Sequence, residues 1–238
     1  MNFDIVFICG IGRSGTHFIA RFLKRHPDVH LRLEKPSTFR PIVQMATEGV
    51  EDRTFDLTVR RLRRQLWRRR LVVEKSHPSL WMTERLLQAF PNAGFVATQR
   101  PVLQVVNSML NHKGVMRWYD VLPLDRPNQF LGITEENVDG FSRLPPHLKC
   151  TWKWIAHTKK ASECARRHPD NFRIWSFEDL ILSPQLCMDG ICDFIGVGRA
   201  EFGELPDPST LGKYHNLSTD EQREVESLIA QHLPEFRP

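Results

Sequence analysis

Five short apolar runs punctuate the chain, each ending in residues that break or turn it. Phe3-Asp4-Ile5-Val6-Phe7-Ile8 comes first. A run with so little polar character suits a strand covered on both faces, as in a parallel sheet. Val29, Leu31 and Leu33 alternate with His30, Arg32 and Glu34, which predicts a second strand. Leu71-Val72-Val73-Glu74-Lys75 and Gly94-Phe95-Val96-Ala97-Thr98 predict two more, and Asn171-Phe172-Arg173-Ile174-Trp175 a fifth. Helix-like stretches separate them. From Thr16 to Arg25, Phe18 and Phe22 lie four apart, as do Ile19 and Leu23, and His26-Pro27 stops the pattern. Later, Ser183-Pro184 opens a helix that Gly196 closes, and Ser218-Thr219-Asp220-Glu221 has the spacing of a capping box. Strands alternating with helices predict a three-layer α/β fold, a central mostly parallel sheet with helices on both faces.

One stretch resists this reading. Residues 113–147 hold Pro123, Pro127, Pro145 and Pro146 and show little periodicity. Two readings stand side by side, a substrate loop or lid and a plain surface connection. The length of 238 residues fits one domain, 1–238, carrying this stretch as an insertion. With 41% hydrophobic and 26% charged residues the composition is ordinary for a globular chain, which argues against disorder or a fibrous repeat.

Charge adds a mild bias. Lys plus Arg number 33 against 28 Asp plus Glu, a net charge of +5 that suits an anionic ligand and would equally suit nucleic acid. No apolar run is long enough to cross a bilayer, and Asp4 stands where a signal peptide carries positive charge, so a cytoplasmic protein is expected. Five cysteines, an odd number without paired spacing, argue against a disulfide framework. Scattered histidines and the lack of Cys-x-x-Cys argue against a zinc site.

The chemistry concentrates in Gly10-Ile11-Gly12-Arg13-Ser14-Gly15-Thr16, between a strand and a helix. A glycine turn there aims backbone N–H groups at an anion, at the positive end of the helix. Arg13 adds a planar, two-pronged cation, and Ser14 and Thr16 add hydroxyls. Gly10 and Gly15 have the spacing of a Walker A loop. Thr16, however, stands where that loop needs Lys, and His17 where it needs Ser or Thr. This disfavours a magnesium-dependent kinase or ATPase and favours a donor that needs no metal. A phosphatase cradle fails as well, because Cys9 and Arg13 are too close for Cys-x5-Arg.

Gly12-Arg13-Ser14-Gly15-Thr16 resembles the 5′-phosphosulfate loop of the sulfotransferases that use 3′-phosphoadenosine 5′-phosphosulfate (PAPS), where Lys or Arg commonly stands at the position of Arg13. His17 departs from the family's usual Thr or Ser. Gln99-Arg100-Pro101, with Ser108 eight residues after Arg100, is similar to the family's 3′-phosphate site. Glu74-Lys75-Ser76-His77-Pro78 resembles the Glu-Lys-Thr-Pro or Glu-Lys-Ser segment of carbohydrate sulfotransferases. Leu31-Arg32-Leu33-Glu34-Lys35-Pro36-Ser37-Thr38-Phe39 is a looser match to the segment that supplies the family's base. Trp175-Ser176-Phe177-Glu178-Asp179-Leu180 resembles a structural segment, and Leu211-Gly212-Lys213 is a weak counterpart of the Arg-Lys-Gly cofactor motif.

The resemblance covers residues 3 to about 230. It implies the phosphate-loop-related sulfotransferase fold, PAPS as co-substrate, 3′,5′-ADP as product and no metal. The acceptor would be a small molecule or carbohydrate-like compound rather than nucleic acid. Glu34 would be the general base, with His77 the alternative, and Arg13 and Lys75 would neutralise the departing oxygen. Gly12 to His17 would hold the 5′ end; Arg100, Ser108, Gly212 and Lys213 would hold the rest of the nucleotide. A nucleotide kinase remains the first rival. The second is an adaptor for nucleic acid or membrane built on Arg60, Arg61, Arg63, Arg64, Arg68, Arg69 and Arg70, a run that otherwise reads as a solvated helix face anchored by Leu62 and Leu66.

Overall fold

A computed structural model describes residues 3–67, 70–201, 203, 206–212 and 216–236. Each of the five apolar runs forms a strand: β1 (Ile5–Gly10), β2 (Val29–Leu33), β3 (Leu71–Lys75), β4 (Ala93–Gln99) and β5 (Phe172–Ser176). They pair in parallel in the order β2-β3-β1-β4-β5. β1 lies at the centre, and all six of its residues are buried. A segment with no polar side chain from Ile5 to Gly10 is best placed where both faces are covered and both edges paired.

Eleven α-helices are seen among the described residues: α1 (Thr16–Arg25), α2 (Pro36–Glu48), α3 (Asp52–Arg63), α4 (Thr83–Ala89), α5 (Val102–Leu110), α6 (Lys113–Val121), α7 (Val138–Phe141), α8 (Pro146–Arg167), α9 (Phe177–Leu182), α10 (Pro184–Ile195) and α11 (Thr219–His232). The side-chain alternation of β1 sorts them into two layers. Ile5, Phe7 and Cys9 pack with α2 and α3 on one face. Val6 and Ile8 pack with α1 and α10 on the other. On the first face, Phe7, Phe95 and Phe172 occupy paired register positions and stack in succession, with ring centroids 5.2 and 5.8 Å apart. This aromatic ladder locks β1, β4 and β5 in register.

The expected stops and starts hold. Gly196 closes α10 at φ 74°, and Ser218 with Glu221 forms a complete capping box on α11. Residues 113–147 are more ordered than their lack of periodicity suggests. They form α6, α7 and an isolated bridge between Asn128 and Ile133. Phe130, Leu131, Ile133 and Phe141 are buried in a third apolar cluster with α5, α8 and α11. The prolines interrupt the helices without exposing the apolar residues between them.

Among the described residues of the arginine run, Leu62 is buried and Leu66 half-buried, while Arg60, Arg61, Arg63 and Arg64 are exposed at the C-terminal end of α3. Positive charge there complements the helix dipole. Arg61 donates to the Ser37 carbonyl and Arg63 to that of Ala89. Arg68 and Arg69 lie outside the described residues.

One ion pair is wholly internal. Arg32 and Glu74 are register partners on β2 and β3, with Arg32 Nε 2.8 Å from Glu74 Oε2. Thr38 donates to Glu74 Oε1 at 2.7 Å. Removing one partner strands a buried charge, at a cost of about 3–5 kcal/mol, whereas replacing both with apolar residues is often neutral. Arg32→Met is therefore expected to destabilise strongly in urea unfolding, and Arg32→Met with Glu74→Met to recover most of the loss. A double variant no more stable than the single one would refute the coupling.

Candidate functional site

The turn after β1 is held open by backbone geometry and tied down by one hydroxyl. Gly10 and Gly15 adopt positive φ, 114° and 98°. At Gly15 a Cβ would also lie 2.7 Å from Phe177 Cδ2, so no larger residue fits without a shift. The Ser14 hydroxyl turns inward, donating to the Ile11 carbonyl at 2.6 Å and pairing with Thr98 Oγ1 on β4 at 2.7 Å. It thus braces the loop, and what Ser14 offers a ligand is its main chain. Among the described residues the amides of Gly12, Arg13 and Gly15 meet no acceptor within the chain. The first-turn amides of α1 follow directly, and the whole forms an anion cradle.

Two arginines converge beside it. Arg13 Nε donates to Ser108 Oγ on α5 at 3.1 Å. Arg100, at the end of β4, donates to the Arg13 carbonyl at 3.0 Å, to Gln104 Oε1 at 3.0 Å and to the Thr210 carbonyl at 3.1 Å. Its guanidinium lies 4.2 Å from the centre of the Phe177 ring. Burial, reinforced by the charge of Arg13, lowers the Arg100 pKa to about 10, and burial lowers that of Arg13. No carboxylate opposes either shift. Arg13 is exposed and Arg100 buried, and among the described residues neither has a carboxylate within ion-pair distance, which makes a site that favours an anion.

The third group owes its existence to strand register. Leu33 pairs with Lys75, and the Glu34 amide donates to the Lys75 carbonyl at 3.1 Å. The side chains at the two strand ends therefore meet: Lys75 Nζ lies 2.5 Å from Glu34 Oε1. Lys75 is 1% exposed, far from a solvated strand-end lysine. His77 Nδ1 stands 3.9 Å from Glu34 Oε1, and His17 Nε2 3.8 Å from Glu34 Oε2. His17 thus faces the carboxylate. Burial would raise the Glu34 pKa, but His77 and Lys75 outweigh it and hold the carboxyl at about 2. Burial lowers His77 to about 4, so its ring is neutral at physiological pH. Arg13 at φ 74° and Glu34 at φ 44° are the non-glycine residues with positive φ among those described. Such strain tends to gather where side chains must be aimed.

All this opens onto one cavity of about 1090 Å3. Gly12, Arg13, Gly15, Thr16, His17, Glu34, Lys75, His77 and Arg100 line it. Ser108 is reached through Arg13. Gly212, at φ 82°, lies two residues beyond Thr210, whose carbonyl holds Arg100. Lys213 lies outside the described residues. Phe177, read from the sequence as part of a structural segment, supports both Gly15 and Arg100. The sequence reading missed His112, Trp118 and Lys153 on the far wall. Among the described residues no three His, Cys, Asp or Glu side chains are grouped to hold a metal ion, and no helix is long and apolar enough to cross a membrane.

No curated protein sequence matches the chain. Similar solved structures include a sulfotransferase domain from the curacin biosynthetic pathway, at 15% identity and TM-score 0.59 over 97% of this chain and 98% of that one. A sulfotransferase from Alicyclobacillus acidocaldarius aligns at 19% identity and TM-score 0.59, over 97% and 93%. Mouse sulfotransferase SULT7A1 complexed with PAP aligns at 16% identity and TM-score 0.57, over 97% and 85%. At such identities the likeness is one of fold. The family model described as Sulfotransferase domain matches residues 3–234, nearly the whole chain, and on that ground this protein belongs to the sulfotransferase family and is an enzyme of that kind.

Proposed function

We propose that the cavity binds PAPS and transfers its sulfuryl group in line to a hydroxyl or amine of a small or carbohydrate-like acceptor, releasing 3′,5′-ADP without a metal ion. The observation that carries this reading is the meeting of Arg13, Arg100 and the loop amides in one cavity, with no carboxylate among the described residues within ion-pair distance of either arginine. A donor with anionic groups at both ends suits two arginines on neighbouring segments, the Arg100 guanidinium donating to the Arg13 carbonyl at 3.0 Å. A relative of the same fold, mouse SULT7A1, has been solved with PAP.

The residues then divide the work. The amides of Gly12 to Thr16 hold the 5′-phosphate, and Arg100 with Ser108 holds the 3′-phosphate. Arg13 and Lys75 offset negative charge on the bridging oxygen as it departs. In this reading His77, the alternative base, takes the proton rather than Glu34. A carboxylate held at about 2 by Lys75 and His77 is a weak base, whereas a neutral imidazole can accept a proton. Glu34, 3.9 Å from Nδ1, would stabilise the imidazolium so formed and, in the resting site, balance Lys75.

Three measurements test this. In calorimetry without metal, wild-type protein is expected to bind 3′,5′-ADP at least 10-fold more tightly than ADP, with Arg100→Ala losing most of that preference. Equal loss for both ligands would refute the 3′-phosphate assignment. His77→Gln should lower kcat by about 10²–10⁴, the usual worth of a general base, with 3′,5′-ADP affinity intact. Glu34→Gln should cost far less, and a larger loss there would return the base role to Glu34. The third is the acid limb of kcat/KM. It should fall as His77 gains its proton, near pH 4. Glu34 raises the His77 pKa. The limb should therefore shift to lower pH in Glu34→Gln, and an unmoved limb would exclude the pairing.

A further inference from the structure

Lys153 is a basic group that the proposed chemistry does not use, and burial lowers its pKa to about 7. It stands in the middle of α8, is 2% exposed, and reaches the wall of the cavity. Its ammonium lies 3.7 Å from the centre of the Phe130 ring and 6.0 Å from that of Trp118. Aromatic faces attract a cation but carry no net charge to balance it. Among the described residues no carboxylate stands within ion-pair distance of it. The titratable groups facing it are neutral from every side. Cys150, on the same helix, is held protonated by burial, which pushes its thiol up to about 11. His157, one turn beyond, and His77, from the segment after β3, are both lowered by burial and further by Lys153 itself. A lysine taken out of water at such cost, with its end opening on a cavity, is a group awaiting an anion.

Position says which anion. The nucleotide cradle has its own cations in Arg13 and Arg100. Lys153 lies instead among Trp118, Phe130 and His77, on the side where an acceptor would approach the base. His77 packs on the same Phe130 ring, at a centroid distance of 6.5 Å. We infer that Lys153 recognises a carboxylate on the acceptor, which makes the acceptor an acidic hydroxy or amino compound, with the reacting group at His77 and the carboxylate about one aromatic ring away. This rests on the reading of the cavity as a donor-and-acceptor site. Trp118 of α6 lines the same cavity, so such a molecule would lie with its body against that ring.

The test uses 4-hydroxyphenylacetate and its methyl ester, equal in shape near the hydroxyl and different in charge. Each is titrated into the protein, followed by tryptophan fluorescence, with and without 3′,5′-ADP. Wild-type protein should bind the carboxylate at least 10-fold more tightly than the ester. Lys153→Met should bring the ratio close to one while leaving 3′,5′-ADP affinity unchanged, and Lys153→Arg, which keeps the charge, should retain a preference. A wild-type ratio near one, no binding of either probe at millimolar concentration, or a preference that survives Lys153→Met would overturn the inference. The wild-type comparison stands even if the Met variant fails to fold. The arm without nucleotide decides the role of Lys153 on its own, so failure of 3′,5′-ADP to bind would count against the donor assignment alone.

Discussion

Parallel pairing of β1 with β3 on one side and β4 on the other is the constraint from which everything else follows. It brings the carboxyl ends of the strands to one edge of the sheet, where ligands of open α/β folds bind. Gly10, Lys75 and Gln99 end their strands there, and Leu33 ends β2 beside them. The loop after β1, the glutamate after β2 and the arginine after β4 therefore meet without any long-range device beyond the strand register. A slip of one residue between β2 and β3 would invert the side chains of β2 and separate Glu34 from Lys75. The internal Arg32–Glu74 pair one step back is a fixed peg against that slip.

The edge so formed is out of electrical balance. Arg13, Arg100, Lys75 and Lys153 line the cavity, and Glu34 is the one carboxylate within ion-pair distance of any of them among the described residues. In the ligand-free protein the burial of these groups is a standing cost, visible in the lowered pKa of each of the four, and the charge of Arg13 adds to it at Arg100 and Lys75. Proteins accept such costs where function needs a poised environment. Binding an anion relieves them, which is how stored electrostatic strain becomes affinity. The left-handed backbone at Arg13 and Glu34 belongs to the same pattern, since both residues are aimed at the cavity from conformations they would not choose.

How far the sequence discloses this depends on how local each feature is. The five strands were legible because their apolar runs are short, uniform and cut off by turn residues. The glycine loop, the Gly196 stop and the Ser218–Glu221 box were legible because their mechanisms span a few residues. The 22-residue α8 was not legible. Its buried face carries His147, Thr151, Lys153, His157 and Thr158 beside Trp154 and Ile155, so the apolar stripe that marks a helix is broken by the residues that face the cavity and their neighbours. Glu34 and Lys75 could be singled out separately, but their ion pair arises only from the β2–β3 register. The low pKa of the Glu34 carboxyl likewise comes from its partners Lys75 and His77. The inward turn of the Ser14 hydroxyl depends on Thr98, which lies 84 residues away.

The ring of Phe177 touches two things at once. One edge fills the space a side chain at position 15 would need, and its face carries the Arg100 guanidinium at 4.2 Å. It therefore acts as a rigid spacer between the amide cradle and the arginine, and its thickness helps set the gap between the two grips. A molecule with its anionic groups closer together or farther apart would have to bend or forgo one hold. Under the proposed reading, selectivity by length would rest on this apolar ring.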